Sequence, residues 1–227
     1  MTELLLVPSP LLGPATWRPV EAWLHDRGQG ATVVDFGSEP RTPQRILDAV
    51  VRAAPSGPVT LVPHSNAGLY APRLGTLLDV ERTVHVDAAL PAADDPESRL
   101  APDQFLAFLR GLVEPDGRLP RWTDWWPDTA DLFPDDHAFE TVASEQQRLP
   151  LSYFTSSVPV PRGWSERPAA YLAFGDTYAA ERRFAQENGW PTTTIDGGHL
   201  HQLVDPAAVG AAILELIDRT NSVGGAH

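Results

Sequence analysis

Short runs of consecutive apolar residues alternate along this chain with longer stretches in which apolar residues recur every three or four positions. The first pattern is typical of strands buried on both faces of a parallel sheet, and the second of helices that cover such a sheet. Runs of the first kind lie at residues 4–7, 31–35, 59–62, 83–87, 169–174 and 192–195. Their alternation with helices predicts an α/β fold: a doubly wound, mostly parallel sheet of about six strands with helices on both faces.

The helical stretches carry signals for their ends. Thr42 and Pro43 form an N-cap and first-turn pair ahead of an apolar stripe that includes Ile46 and Val50. Further stretches with helical spacing lie at residues 17–24, 69–78, 179–188 and 206–217. Pro72 lies inside one of them, and we expect it either to kink that helix or to occupy its first turns.

The alternation stops between residues 92 and 168. This stretch is rich in proline, aspartate and aromatic residues, and it contains R-W-T-D-W-W-P with Trp122, Trp125 and Trp126. It also has helical spacing at residues 104–112, and it is too apolar for a disordered linker. We therefore expect one domain over residues 1–227, with residues 92–168 inserted as a helical lid.

Charge and composition limit the partners. The chain has 30 acidic and 17 basic residues, a formal net charge of -13 and no basic cluster, which argues against nucleic acid or an anionic membrane as partner. It has no cysteine, so disulfides, thiolate metal sites and cysteine nucleophiles are excluded. The N-terminal M-T-E-L-L-L-V lacks the basic segment of a secretory leader, and no apolar run is long enough for a membrane span. We expect a cytoplasmic protein that binds a small-molecule substrate and needs no metal or other cofactor, with homodimerisation left open.

The stretch P-V-T-L-V-P-H-S-N-A-G-L-Y, residues 58–70, carries the first candidate for chemistry. A β-branched apolar run leads directly into Ser65, which small residues follow. Such a strand, tight turn and helix start lift a serine from the carboxyl end of a strand and aim the free N–H groups of the helix at its target. The pattern favours a nucleophile elbow, and the alternative is an ordinary turn that contains a serine.

A serine nucleophile needs a base that takes its proton and a third group that orients the base. His199, in G-G-H-L-H after the last predicted strand, is the candidate base, and Asp176, after the strand Y-L-A-F, is the candidate acid. Each follows the carboxyl end of a predicted strand, in the order nucleophile, acid, histidine. Glu181 and Asp87 are the alternatives for the acid.

With these residues in place, the sequence resembles the α/β-hydrolase superfamily, especially its compact members, which include plant methylesterases, hydroxynitrile lyases and small bacterial esterases. The resemblance implies that Ser65 is the nucleophile, that His199 is the general base and acid, and that Asp176 holds the imidazole tautomer. The sequence departs from the family's pattern at Pro63, which occupies the position where the first glycine of G-x-S-x-G is expected. The matching segments are V-P-S-P-L-L-G-P-A-T-W (7–17), V-P-H-S-N-A-G (62–68), V-D-A-A-L-P (86–91) and G-G-H-L-H-Q-L-V-D-P (197–206).

A second departure concerns the oxyanion hole, which needs two hydrogen-bond donors. The N–H of Asn66, after the nucleophile, is the first. The loop after the first strand normally supplies the second, but Pro10 has no N–H there. Either Leu11 donates from a shifted loop, or the Ser9 hydroxyl takes its place, or the hole has only one good donor.

These patterns predict a serine hydrolase of esterase or thioesterase type that acts on a small apolar acyl substrate. The candidate substrate-contacting residues are His64, Trp122, Trp125 and Trp126. For His64 the alternative is packing beneath the elbow, and for the tryptophans it is packing within the inserted segment itself.

Two other functions are compatible with the same sequence. A lyase, decarboxylase or cyclase would use Ser65 and His199 for proton transfer alone, and such a reaction does not need two oxyanion donors. A receptor on the same scaffold would bind a ligand without catalysis.

Overall fold

The computed structural model describes residues 2–224. Its strands are β1 (Glu3–Val7), β2 (Ala31–Val33), β3 (Val59–Ser65), β4 (Val80–Ala88), β5 (Glu97–Arg99), β6 (Ser157–Pro159), β7 (Ala169–Phe174) and β8 (Thr192–Ile195). Its α-helices are α1 (Arg18–His25), α2 (Pro43–Ala53), α3 (Ala71–Leu77), α4 (Asp103–Leu112), α5 (Asp136–Glu145), α6 (Leu151–Thr155), α7 (Ala179–Glu187), α8 (His201–Val204) and α9 (Pro206–Gly224). Short 3-10 helices occupy Pro14–Thr16, Asn66–Tyr70, Trp122–Asp124, Thr129–Leu132 and Trp164–Glu166.

Six strands form one parallel sheet in the order β2-β1-β3-β4-β7-β8. β3 lies between β1 and β4, with Leu61 opposite Leu5 on one side and Thr83 on the other. All six carboxyl ends therefore meet at one edge of the sheet, where ligands bind in open α/β folds. The predicted doubly wound parallel sheet is confirmed.

Both faces of the sheet are buried because successive residues of a strand point to opposite sides. Leu4 and Leu6 belong to a core that includes side chains of α1 and α9. Leu5 and Val7 belong to a second core that includes side chains of α2 and α3. The continuous apolar runs of the sequence follow from this double coverage.

Two element boundaries differ from the expected ones in a way that bears on the elbow. β3 extends to Ser65, three residues beyond the apolar run, because the backbone remains paired with β1 and β4. The chain then forms the 3-10 helix Asn66–Tyr70, and α3 begins at Ala71. Pro72 thus lies in the first turn of α3, where a backbone N–H is not needed, and it does not interrupt a longer helix.

Residues 92–168, called the insertion below, separate β4 from β7. They contain the antiparallel pair β5–β6 and helices α4, α5 and α6. Apolar side chains of the insertion, among them Leu109 and Phe154, belong to the same buried cluster as Leu5 and Val7 of β1. The insertion is therefore packed onto the core of the sheet.

The C-terminal helix α9 has 19 residues and covers one face of the sheet. Asp205 caps it, since its carboxylate accepts a hydrogen bond of 2.9 Å from the N–H of Ala208. Within residues 2–224, no helix combines the length and the apolar character needed to cross a bilayer.

Candidate active site

Ser65 is the last residue of β3 and lies in a sharp turn. Its φ of 57° and ψ of −131° place an ordinary L-residue in a region that costs of the order of 1–3 kcal/mol. Asp87, at the end of the neighbouring strand β4, also has a positive φ, 39°. Both strained non-glycine residues of the described chain thus lie at the carboxyl edge of the sheet, next to each other.

The elements around the turn at Ser65 approach one another very closely. A Cβ at Gly68 would lie 2.1 Å from the carbonyl oxygen of Ala89, so no larger residue fits without a backbone shift. The carbonyl of Ser65 accepts a hydrogen bond of 3.1 Å from the N–H of Ala89. This close packing supports the elbow although Pro63 occupies the usual first glycine position.

His199, between β8 and α8, contacts the serine directly. Its Nε2 lies 3.0 Å from Ser65 Oγ, and its Nδ1 lies 2.6 Å from Asp87 Oδ2. With Nδ1–H donating to the carboxylate, Nε2 is free to accept the serine proton. His199 is only 9% exposed, so most of its ring is shielded from bulk water.

Asp87 is completely buried and is held on both oxygens. Oδ2 accepts from His199, and Oδ1 accepts a hydrogen bond of 3.0 Å from the N–H of Phe174, in β7. β4 is the immediate neighbour of β3 in the sheet, so its last residues lie beside the elbow. Asp87 was one of the alternatives for the acid, and the sequence V-H-V-D at a strand end was its signal.

The prediction that Asp176 orients His199 is wrong. Its side chain is 83% exposed and forms an ion pair of 2.8 Å with Arg182, in α7. The physical reason is the turn after β7: Gly175 has a positive φ of 61°, and the chain directs Asp176 outward. Glu181, the other alternative, lies on the pocket wall described below rather than at His199 Nδ1.

Two backbone N–H groups are candidates for an oxyanion hole. The N–H of Asn66 begins a 3-10 helix, so no carbonyl within that helix accepts from it. The N–H of Leu11 contacts Ser9 Oγ at 3.3 Å, a long hydrogen bond that a better acceptor can replace. Leu11 lines the pocket, whereas Ser9 is 1% exposed and accepts from its own loop. The geometry favours Leu11 over the Ser9 hydroxyl as the second donor.

The Asn66 side chain is held by the insertion. Its amide nitrogen donates to the carbonyl of Leu100 at 2.9 Å, and its oxygen accepts from the Tyr153 hydroxyl at 3.1 Å. The Tyr70 hydroxyl in turn lies 2.9 Å from that of Tyr153. Both of these contacts to the Asn66 side chain therefore come from the insertion, and Tyr70, in the same 3-10 helix as Asn66, helps to hold Tyr153.

His64 lies beneath the site rather than on its wall. It is fully buried, its ring stacks on that of His199 at 4.7 Å, and its Nε2–H donates to the His199 carbonyl at 3.0 Å. Burial and the nearby His199 lower the pKa of His64 well below its ordinary value, so the ring is neutral. The structure thus places His64 off the pocket wall, which agrees with the alternative of packing beneath the turn at Ser65.

A pocket of about 1210 Å³ opens above Ser65. Ser65, Asn66 and His199 lie on one side of it, and Trp122 and Trp126 of the insertion lie on another. This volume exceeds the range of roughly 300–1,000 Å³ that is usual for small ligands. The pocket therefore has space for more than a small acyl group.

Trp125 differs from its two neighbours. It is 6% exposed, its indole N–H donates to the carbonyl of Pro120 at 3.0 Å, and its ring lies against Phe154. It is not among the residues that line the pocket. The structure thus places the Trp125 ring in the core of the insertion, which is the packing alternative, whereas Trp122 and Trp126 face the pocket.

Tyr178 was not anticipated from the sequence. Its hydroxyl lies 3.4 Å from Ser65 Oγ, its ring centroid lies 5.7 Å from that of His199, and it lines the pocket. It follows the same strand end as Asp176, in F-G-D-T-Y. The available signal was the strand end itself, which brings several consecutive side chains to the edge where ligands bind.

The pocket has few positive charges. Asp95, Glu97 and Glu181 line it, and the one arginine on its wall, Arg99, is paired with Asp103 at 2.7 Å. Burial, and to a lesser degree the Asp87 charge, raise the pKa of Glu181. The wall is therefore apolar and aromatic with an acidic part.

No protein-family model matches the sequence, and no curated protein matches it. Solved structures do match over nearly the whole chain. An extracellular α/β-hydrolase from a Paenibacillus species has a TM-score of 0.74 and 14% identity and covers 95% of this chain and 99% of its own. A pyrethroid hydrolase from Sphingobium faniae JZ-2 has a TM-score of 0.70 and 19% identity, and the match covers 96% of this chain and 97% of the hydrolase. Polyneuridine aldehyde esterase has a TM-score of 0.70 and 14% identity, with 95% and 99% covered.

At such identities the likeness concerns the path of the backbone. The matches extend over nearly the whole chain, including its six-stranded parallel sheet. The chain therefore has the α/β-hydrolase fold.

Proposed function

We propose that this protein is a carboxylic ester hydrolase with Ser65 as nucleophile, His199 as general base and acid, and Asp87 as the residue that orients His199. The single observation that carries the proposal is the continuous line of hydrogen bonds from Asp87 Oδ2 to His199 Nδ1, 2.6 Å, and from His199 Nε2 to Ser65 Oγ, 3.0 Å. Two of the structural neighbours bear the names of a pyrethroid hydrolase and an esterase, which agrees with this reaction.

In the proposed reaction, Ser65 Oγ attacks the ester carbonyl carbon while its proton moves to His199 Nε2. Asp87 keeps the Nδ1–H in place and offsets the charge of the imidazolium. The N–H groups of Asn66 and Leu11 donate to the oxyanion. The carbon–oxygen bond to the leaving alcohol then breaks, and that oxygen takes the proton from His199. A water molecule, deprotonated by His199, releases the acid from Ser65 in the same manner.

The charge of the pocket limits the classes of ester that could bind. The wall carries the carboxylates of Asp95, Glu97, Asp103 and Glu181 against one arginine, Arg99, and this negative balance opposes an anionic ligand. A thioester with a phosphate-bearing carrier is thus disfavoured, and the apolar wall suits a neutral ester. In this proposal the insertion serves as the lid, with Trp122 and Trp126 against the substrate.

The test is labelling by a p-nitrophenyl alkylphosphonate together with hydrolysis of a panel of neutral esters. The wild-type protein should be labelled and should hydrolyse esters, and Ser65→Ala should lose both. Ser157→Ala is the matched control, because Ser157 also lines the pocket but belongs to strand β6 of the insertion. Labelling of Ser65 without turnover of any ester would instead favour proton-transfer chemistry, and tight ligand binding without labelling would favour a receptor.

A further inference from the structure

Tyr178 approaches the nucleophile from the side of the histidine. β1 and β7 lie on opposite sides of β3 in the sheet order β2-β1-β3-β4-β7-β8. Leu11, a candidate oxyanion donor, follows β1, whereas Tyr178 follows β7 and His199 follows β8. The Tyr178 hydroxyl is therefore placed away from the Leu11 side of the oxyanion hole and near the imidazole.

The leaving group occupies that same side. In a tetrahedral intermediate the oxyanion lies toward its donors, and the leaving oxygen lies toward the group that protonates it, here His199 Nε2. A hydroxyl 3.4 Å from Ser65 Oγ, with its ring 5.7 Å from the imidazole, lies beside the position of this oxygen. Catalytic hydrogen bonds are often long before substrate binds, which fits the 3.4 Å distance.

The phenol is suited to donate. Burial raises the pKa of Tyr178, and the negative charges of Asp87 and Glu181 raise it further. The hydrogen bond to Ser65 lowers the pKa by less, so the pKa of Tyr178 lies above its ordinary value. The phenol keeps its proton at neutral pH, so it acts as a donor and not as a base.

Resting on the proposed ester hydrolysis, we propose that Tyr178 is a further catalytic residue, whose hydroxyl donates a hydrogen bond to the leaving-group oxygen while that oxygen takes its proton from His199. The bond between the carbonyl carbon and the leaving oxygen breaks with its electron pair on the oxygen. The proton comes from His199 Nε2, and Tyr178 retains its own proton throughout. The hydroxyl stabilises negative charge that exists only while the leaving group departs.

The test compares leaving groups on one acyl group. The substrates are p-nitrophenyl, phenyl and benzyl butyrate, and kcat/KM is measured for the wild type, Tyr178→Phe and Thr177→Val. The p-nitrophenolate ion is stable without a donor, so Tyr178→Phe should lose less than about threefold with that ester. The loss should grow along the series to roughly tenfold to a hundredfold with benzyl butyrate, the range of a hydrogen bond to a charged oxygen.

Thr177→Val is the matched control, because Thr177 is an adjacent pocket-lining residue that also carries a hydroxyl. It should keep the wild-type dependence on the leaving group. The rate of Ser65 labelling by the p-nitrophenyl phosphonate should be retained in Tyr178→Phe, which shows an intact fold and nucleophile.

An equal loss with all three butyrates, or no loss with any of them, would overturn the role of Tyr178. If the wild type hydrolyses none of the three esters and Ser65 is not labelled, the proposed function itself fails. The two failures are therefore distinguishable.

Discussion

The carboxylate of Glu145, in α5 of the insertion, accepts a hydrogen bond of 2.7 Å from the backbone N–H of Ala15, in the 3-10 helix at the end of the loop that follows β1. The contact is close, since a Cβ at Gly13 would lie 2.8 Å from the same carboxylate oxygen. Arg41 also connects the loop to the insertion, since its guanidinium donates hydrogen bonds to the carbonyl of Pro10, in the loop, and to the carbonyl of Glu145, in the insertion. The loop that carries the Leu11 N–H is thus held by a helix 130 residues further along the chain.

The insertion holds the other proposed oxyanion donor as well. Asn66 is hydrogen-bonded to Leu100 and Tyr153, both within residues 92–168. A segment that lines the pocket therefore also contacts the two elements whose N–H groups would bind the oxyanion. Movement of the insertion would alter both access to Ser65 and the geometry of catalysis.

We predict that Glu145→Leu lowers kcat by roughly tenfold, because the loop after β1 loses an acceptor and Leu11 is no longer held in place. Glu145→Gln keeps an oxygen at this position and should retain most of the activity. Steady-state kinetics with a p-nitrophenyl ester measures the difference, and thermal unfolding of both variants checks the fold. Full activity of the leucine variant would show that the contact does not position the loop.

Ser9→Ala tests which group completes the oxyanion hole. The Ser9 oxygen accepts from the Leu11 N–H, so its removal leaves that N–H free for substrate. We predict kcat/KM within about twofold of the wild-type value, against the loss of roughly a hundredfold or more that follows removal of a true oxyanion donor. A loss of that size would assign the role to the Ser9 hydroxyl.

Substitution of the two candidate acids, Asp87 and Asp176, should have opposite effects on activity. Asp87→Asn should lower kcat by a factor on the order of 10⁴, because an amide no longer holds the tautomer with a free Nε2. Asp176→Asn removes an exposed ion pair, which is worth about 0–1 kcal/mol of stability, and should leave kcat unchanged.

Matched esterase assays of Asp87→Asn and Asp176→Asn decide between the two acids. A collapse of activity in the Asp176 variant, with Asp87→Asn active, would reverse the assignment. Circular dichroism of both proteins shows whether the buried Asp87 position tolerates the change.

The acid illustrates what the sequence could and could not predict. The six strands were predictable because their apolar residues are buried on both faces, and Ser65 and His199 because each follows such a strand. Asp87 lies at the end of β4 and Asp176 two residues beyond the end of β7, and the order of residues in the sequence suits either as the acid. The choice depends on which strand neighbours β3 and on the direction of one turn at Gly175, and both are tertiary properties. Tyr178 and the folding of the insertion depend on contacts between distant segments, which spacing along the chain does not encode.

His85 gives a prediction about stability and pH. It is buried between the rings of Tyr171 and Trp190, and its Nδ1 has no hydrogen-bond partner among residues 2–224. Burial lowers the pKa of His85 to about 3 from an ordinary 6.5. Below pH 6.5 the unfolded chain therefore binds a proton that the folded chain does not, and stability falls as the pH falls toward 3.

His85→Phe removes this pH-dependent loss of stability and keeps an aromatic ring between Tyr171 and Trp190. We predict that, relative to the wild type, the variant gains about 2 kcal/mol of unfolding free energy between pH 7 and pH 5, at about 1.4 kcal/mol per pH unit below 6.5. Urea unfolding at pH 7, 6 and 5 measures it, with His137→Gln, at an exposed position of α5, as the control that should follow the wild type. Parallel pH dependences of His85→Phe and the wild type would mean that His85 is protonated in the folded protein, in conflict with its burial.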